Sequence, residues 1–127
     1  MKSRKFSIPE RIRSFKYAFR GFLWLIREEH NSWIHFATVV ILIPVCFLLH
    51  ISLIEWTLIT ICIGLVLAME LVNSAIERLA DKISPRRDTD IGKIKDIAAA
   101  AVLISAIAAA IVGLIILVPK LFMLLDL

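Results

Sequence analysis

Residues 69–81, MELVNSAIERLAD, bring Glu70, Asn73, Glu77 and Asp81 directly after an uncharged run from Trp56 to Met69. At about 100° per residue, Glu70, Asn73, Glu77 and Asp81 fall near 0°, −60°, −20° and +20° on a helix, which makes one polar face opposite an apolar one. A charged carboxylate this close to hydrocarbon is costly unless it is paired, protonated or used. Glu70 and Glu77 lie about 10 Å apart along the axis, too far to share one metal ion easily, so they have separate tasks. Glu77 suits a hard cation arriving with phosphate, in a layer that Glu29 reaches from the end of the preceding segment. Glu70 sits one to two turns deeper, where a lipid hydroxyl would be. Asp81 reads equally well as the solvated end of the helix.

A second polar group lies downstream. Lys95 reads by itself as an interfacial anchor and Asp96 as the N-cap of the next helix. Arg86 and Arg87 hold polyphosphate or merely add to the positive charge of the loop. Acids, a lysine and an arginine pair in one layer are what phosphoryl transfer from a metal-nucleotide requires. The common soluble solutions are absent. Gly92-Lys93 lacks the Walker spacing, residues 88–92 lack the glutamate of a calcium loop, and there is no GxSxG or HExxH.

The elements that must hold these groups are read from hydropathy. The 127 residues are 60% hydrophobic with only 4 Gly and 4 Pro, and the mean hydropathy of +0.87 belongs to a helical membrane protein. Cys46 and Cys62 fall in apolar runs without metal or redox spacing and read as small buried residues. No cleavable signal peptide is expected.

Ser7 and Pro9 open a helix over residues 8–28, whose apolar stripe runs through Ile8, Ile12, Phe15, Phe19, Phe22 or Leu23, and Ile26. Its basic remainder suits a headgroup layer rather than a crossing. Membrane helices are expected at about 32–50, 54–80 and 96–118, with a loop over 82–95 and all of it in one domain. The last contains an uncharged stretch of ~33 Å at ~1.5 Å per residue. In it Ala101, Ser105, Ala109 and Gly113 form a small-residue ridge for close helix packing.

Of 15 Lys and Arg, eight precede the first membrane helix and six lie from Arg78 to Lys95. This bias puts the N-terminus and the second loop on the cytoplasmic side. A three-span chain of this size buries little polar surface alone, so an oligomer is expected.

Together these residues resemble the small prokaryotic diacylglycerol kinase family, which includes undecaprenol kinases. The resemblance is carried by Glu70-Leu-Val-Asn-Ser-Ala-Ile-Glu77 with Asp81 and by Lys95-Asp-Ile-Ala-Ala-Ala-Ala-Val-Leu103. Ser14-Phe-Lys-Tyr-Ala-Phe-Arg-Gly21 and Glu28-Glu-His-Asn-Ser-Trp-Ile-His35 echo its N-terminal half. It implies an all-α integral membrane protein with a surface helix and three transmembrane helices. The subunits would form a homotrimeric bundle in the bacterial cytoplasmic (inner) membrane, with sites between subunits.

It implies that MgATP phosphorylates a membrane lipid alcohol, with Glu70 as the base, Glu29 and Glu77 as Mg²⁺ ligands and Asn73 as a positioning group. Lys95 and Asp96 would contact nucleotide phosphates, with Tyr17, Arg86, Arg87 and Asp88 around ATP. Trp33 stands where the family commonly has a basic residue. The Glu29-x-Asn31-x-x-x-His35 pattern favours undecaprenol over diacylglycerol as substrate.

The alternative from another class is a small multidrug or proton-coupled transporter working through one intramembrane glutamate. It needs an acid near the midplane and usually paired halves, whereas these acids cluster at one interface and the spans number three. A purely structural oligomer leaves Glu70 unexplained. A nucleic-acid role for the basic segment is disfavoured by its amphipathic stripe.

Overall fold

The computed structural model describes residues 5–86 and 88–127, and these form four helices: α1 (Ile8–Glu28), α2 (Ser32–Leu48), α3 (Leu53–Ile83) and α4 (Thr89–Leu124). α3 and α4 are each long and apolar enough to cross a membrane. α2 has 17 residues, or ~25 Å of helix against a ~30 Å hydrocarbon core. The α1–α2 pair, bent by 102°, is apolar enough together to bring the number of crossings to three if it counts as one span.

α1 starts after extended Ser7, with Pro9 in its first turn, where a missing N–H costs nothing. Its stripe stays uncovered: Ile8, Ile12, Phe15 and Phe19 are all exposed, and Leu25 is the one residue of α1 that is buried. Such a face belongs in a lipid interface rather than on a protein core. The bend after α1 is fastened by Trp33, whose indole N–H donates to the Ile26 carbonyl at 2.7 Å. Phe22 also meets Phe36 edge-on, with ring centroids 5.6 Å apart. Trp33 thus closes a helix end that would otherwise leave a carbonyl unpaired.

α2 leads through His50, held at φ 51°, into α3, which opens with a capping box. The Ser52 N–H donates to Glu55 Oε2 at 2.8 Å, and the Glu55 N–H donates to Ser52 Oγ at 3.2 Å. Glu55 also pairs with Lys120 at 3.2 Å. Here lies the buried cluster of Cys46, Ile51, Ile59 and Ile116. The apolar core therefore sits at the end of the bundle away from the acids.

The α3–α4 connection is shorter than expected. α3 runs on to Ile83, and α4 begins at Thr89 instead of residue 96. Asp88, and not Asp96, is its N-cap, with the Ile91 N–H donating to Asp88 Oδ1 at 2.8 Å. So tight a turn makes an antiparallel hairpin, and α3–α4 is the most extensive helix interface.

The seam repeats at steps of three and four, the spacing of left-handed helix pairs. Trp56, Ile59, Ile63, Val66, Glu70, Asn73, Glu77 and Ala80 are buried or half-buried on α3. Ile91, Lys95, Ala98, Val102, Ser105, Ala109, Val112 and Ile116 are so on α4. The pairs Glu55–Lys120 and Asp81–Lys95 set the register. In that register Ser105 lies across from Glu70 and Ala98 across from Glu77, two small residues opposite two large polar ones.

Of the expected small-residue ridge, Ser105 is buried and Ala109 and Gly113 half-buried, whereas Ala101 is exposed, because the packing stripe shifts by three as well as four residues. Ser105→Leu should destabilise the hairpin by about 1–3 kcal/mol through overpacking. Ala101→Leu should change it by less than about 0.5 kcal/mol. The midpoint of denaturant unfolding, followed by helical circular dichroism in mixed micelles, checks the contrast.

Candidate functional site

Glu70 is 6% exposed and is approached from the first turn of α2. His35 Nε2 lies 2.8 Å from Glu70 Oε1, and Ser32 Oγ donates to Glu70 Oε2 at 3.2 Å. Ser32 is fully buried. Ser32 and His35 stand three residues apart, which places both on one helical face. The positive end of the α2 dipole adds to the stabilisation of the carboxylate. The burial of Glu70 is thus compensated by its neighbours, as a charge in this position requires.

One turn along α3, the Asn73 Oδ1 is shielded from solvent and has no hydrogen-bond partner among the described residues. An unmet acceptor of this kind costs about 1–3 kcal/mol unless something binds to it. Glu77 follows on the same seam, half-buried, and makes no ion pair among the described residues. Glu29 stands at the C-cap of α1. Its carboxylate lies 3.5 Å from Arg78 Nη2, and the same guanidinium donates to Glu28 Oε2 at 2.6 Å. Arg78 therefore ties the end of α1 to the α3 turn that carries Glu77. A hollow of about 330 Å³ opens between the two helices, with Trp24, Glu29, Ser74 and Arg78 on its wall.

Lys95 Nζ donates to Asp81 Oδ1. Asp96 is exposed near the start of α4, and Arg86 is exposed in the connection before it. The Arg86 backbone carbonyl accepts bonds from Ser84 Oγ and from the Asp88 N–H. Arg87 lies outside the described residues. Tyr17 is exposed on α1 with the Arg20 guanidinium 5.7 Å from its ring centroid. Among the described residues it has no polar tie to the acids of α3, and Asp88 is occupied in capping α4.

The structure thus joins Glu70 to α2, Glu29 to the turn beside Glu77, and Lys95 to Asp81. Among the described residues no group of three His, Cys, Asp or Glu side chains converges as a metal cage.

The sequence reading gave no site role to Ser32, His35 or Arg78. Ser32 and His35 stand in the stretch Glu28-Glu-His-Asn-Ser-Trp-Ile-His35, but their partner Glu70 is not predictable from helical periodicity. Beyond His35 an apolar slot of about 190 Å³ runs between α2, α3 and α4, walled by Thr38, Ile59, Val66, Ala109 and Gly113. His35 thus stands between this slot and the buried Glu70 carboxylate, and a carboxylate can take a proton from a hydroxyl whose carbon chain lies in hydrocarbon.

Over residues 16–117 the sequence matches the family described as prokaryotic diacylglycerol kinase. It is 38% identical over 109 residues to an undecaprenol kinase of Bacillus subtilis (strain 168), covering 86% of this chain and 89% of that one. It is also 38% identical over 114 residues to a diacylglycerol kinase of Synechocystis sp., covering 89% of this chain and 65% of that one. A diacylglycerol kinase of Haemophilus influenzae is 36% identical over 104 residues, covering 82% of this chain and 86% of that one.

Proposed function

The chain belongs to the prokaryotic diacylglycerol kinase family and is a multi-pass membrane lipid kinase with a nucleotide phosphate donor, and on that premise we propose its substrates and the roles of its residues. The donor is ATP with Mg²⁺, and the acceptor is undecaprenol, with diacylglycerol the alternative. The observation that carries this reading is Glu70, a buried carboxylate held by Ser32 and by His35, whose ring also lines an apolar slot.

Glu70 acts as the base. The alcohol O–H bond breaks as its proton passes to the carboxylate, and the oxygen forms a bond to the γ-phosphorus. The bond from that phosphorus to the β-phosphate oxygen breaks, and ADP leaves. Lys95 offsets charge on the transferring group, and Asp96, Arg86, Arg87, Asp88 and Tyr17 surround the nucleotide.

Glu29, Glu77 and the unmet Asn73 Oδ1 are hard oxygen donors and fit Mg²⁺, which commonly takes one or two carboxylates and completes its shell with phosphate and water. When bound, that ion supplies charge neutralisation across the phosphates. Arg78 holds Glu29 in the layer of Glu77.

The whole chain serves as one lipid kinase domain in the bacterial cytoplasmic membrane, with the N-terminus and the α3–α4 turn on the cytoplasmic side. This orientation follows from its clustered Lys and Arg. The assembly is a homotrimer whose sites lie between subunits. No observation favours the transporter.

The test is purified protein in mixed micelles with ATP, Mg²⁺ and either undecaprenol or diacylglycerol. Both alcohols should be phosphorylated, with the higher kcat/KM for undecaprenol. The substrate order falls if diacylglycerol is preferred, and the reading falls if no long-chain alcohol accepts phosphate.

A further inference from the structure

Both oxygens of the Glu70 carboxylate are engaged, and both partners come from α2. A free glutamate carboxylate turns easily, since its terminal torsion has broad wells. Two donors on one side remove that freedom and leave the other lone pairs directed away from α2.

Among the described residues no other charged or imidazole group in the surroundings is placed to replace His35. From Ser32 to the end of α2 the titratable groups are His35 and Cys46, and Cys46 lies about three turns further along, in the apolar cluster. α4 has none between Asp96 and Lys120, and the nearest on α3 are Cys62 and Glu77, about two turns away on either side. Arg78, the nearby cation of α3, is committed to Glu28 and Glu29.

We propose that Ser32 and His35 are positioning residues for Glu70, fixing the plane of its carboxylate so that an unshared oxygen lone pair meets the acceptor hydroxyl. The inference rests on the reading of Glu70 as the base of a lipid kinase. It adds two residues from α2 to a site otherwise drawn from α1, α3 and α4. It also gives a reason for a histidine inside a membrane helix.

The test compares His35→Leu, His35→Gln and Ser32→Ala, each shown to be folded by helical circular dichroism. Losing a hydrogen bond to a charged group corresponds to about a 10- to 100-fold fall in kcat for His35→Leu, with KM for ATP within about twofold. His35→Gln retains an N–H donor and should recover most of that loss. Ser32→Ala, which removes the longer bond, should cost less.

A readout free of turnover is the infrared carboxyl band of Glu70, assigned by its disappearance in Glu70→Gln. The band should shift in His35→Leu and return towards the wild-type position in His35→Gln. Wild-type kcat in His35→Leu, equal losses in the Leu and Gln variants, or an unmoved band overturns the positioning role. Failure of the wild-type protein to phosphorylate any alcohol instead removes the kinase reading, and with it the role, even if the band shifts.

Discussion

Glu70→Gln should all but eliminate lipid phosphorylation while ATP still binds with close to wild-type affinity. General-base catalysis contributes about 10²–10⁴ in rate, so kcat should fall by that factor. Glutamine keeps the shape of the side chain. Its amide oxygen still accepts from one α2 donor, so the loss reports on proton transfer more than on packing. ATP affinity is preserved because the groups assigned to the nucleotide lie on other turns, from Glu77 outward. Single-turnover phosphorylation of undecaprenol, run beside equilibrium ATP binding, makes the separation. Turnover within about threefold of wild type would remove Glu70 from the base role, since the smallest base contribution exceeds that.

The helices were legible from hydropathy because each membrane segment is long, uncharged and bounded by charge. The start of α4 was not. Asp90, Lys93 and Lys95 read as loop and Asp96 as the start of the helix, yet all four lie in its first turns, with Asp88 capping and Lys95 reaching back to Asp81. Charge marks where the hydrocarbon ends, not where the helix ends.

The polar face of α3 was legible from angles alone, but its surroundings were not. Glu70 and Asn73 continue the seam of Ile59, Ile63 and Val66 instead of opposing it, so the acids lie inside the chain's own packing. Periodicity gives a face but not its neighbour. Ser32 and Glu70 are 38 residues apart, and Arg78 and Glu28 are 50 apart. Contacts over such separations depend on how α1 and α2 bend around α3, which no local pattern records.

Lys95→Met should lower kcat about 10²- to 10³-fold, the size of losing one electrostatic stabiliser of the transition state. Asp81→Asn should leave kcat within about threefold. Both changes break the Lys95–Asp81 pair, so a purely structural lysine would make the two variants alike. The pair itself is too weak to produce the larger effect. The Asp81 side chain is 60% exposed, and an ion pair this open contributes about 0.2–1 kcal/mol, no more than about fivefold in any equilibrium. A hundredfold loss in Lys95→Met alone therefore has to arise where Lys95 meets something other than Asp81. In Asp81→Asn the ammonium is freed from its resting partner, and an unchanged or improved KM for ATP would identify the phosphate as that second partner. Equal losses in both variants would return Lys95 to a tie between α3 and α4. Steady-state kinetics of the two variants and of the double substitution decide it, since a double mutant no worse than Lys95→Met assigns the whole effect to the lysine.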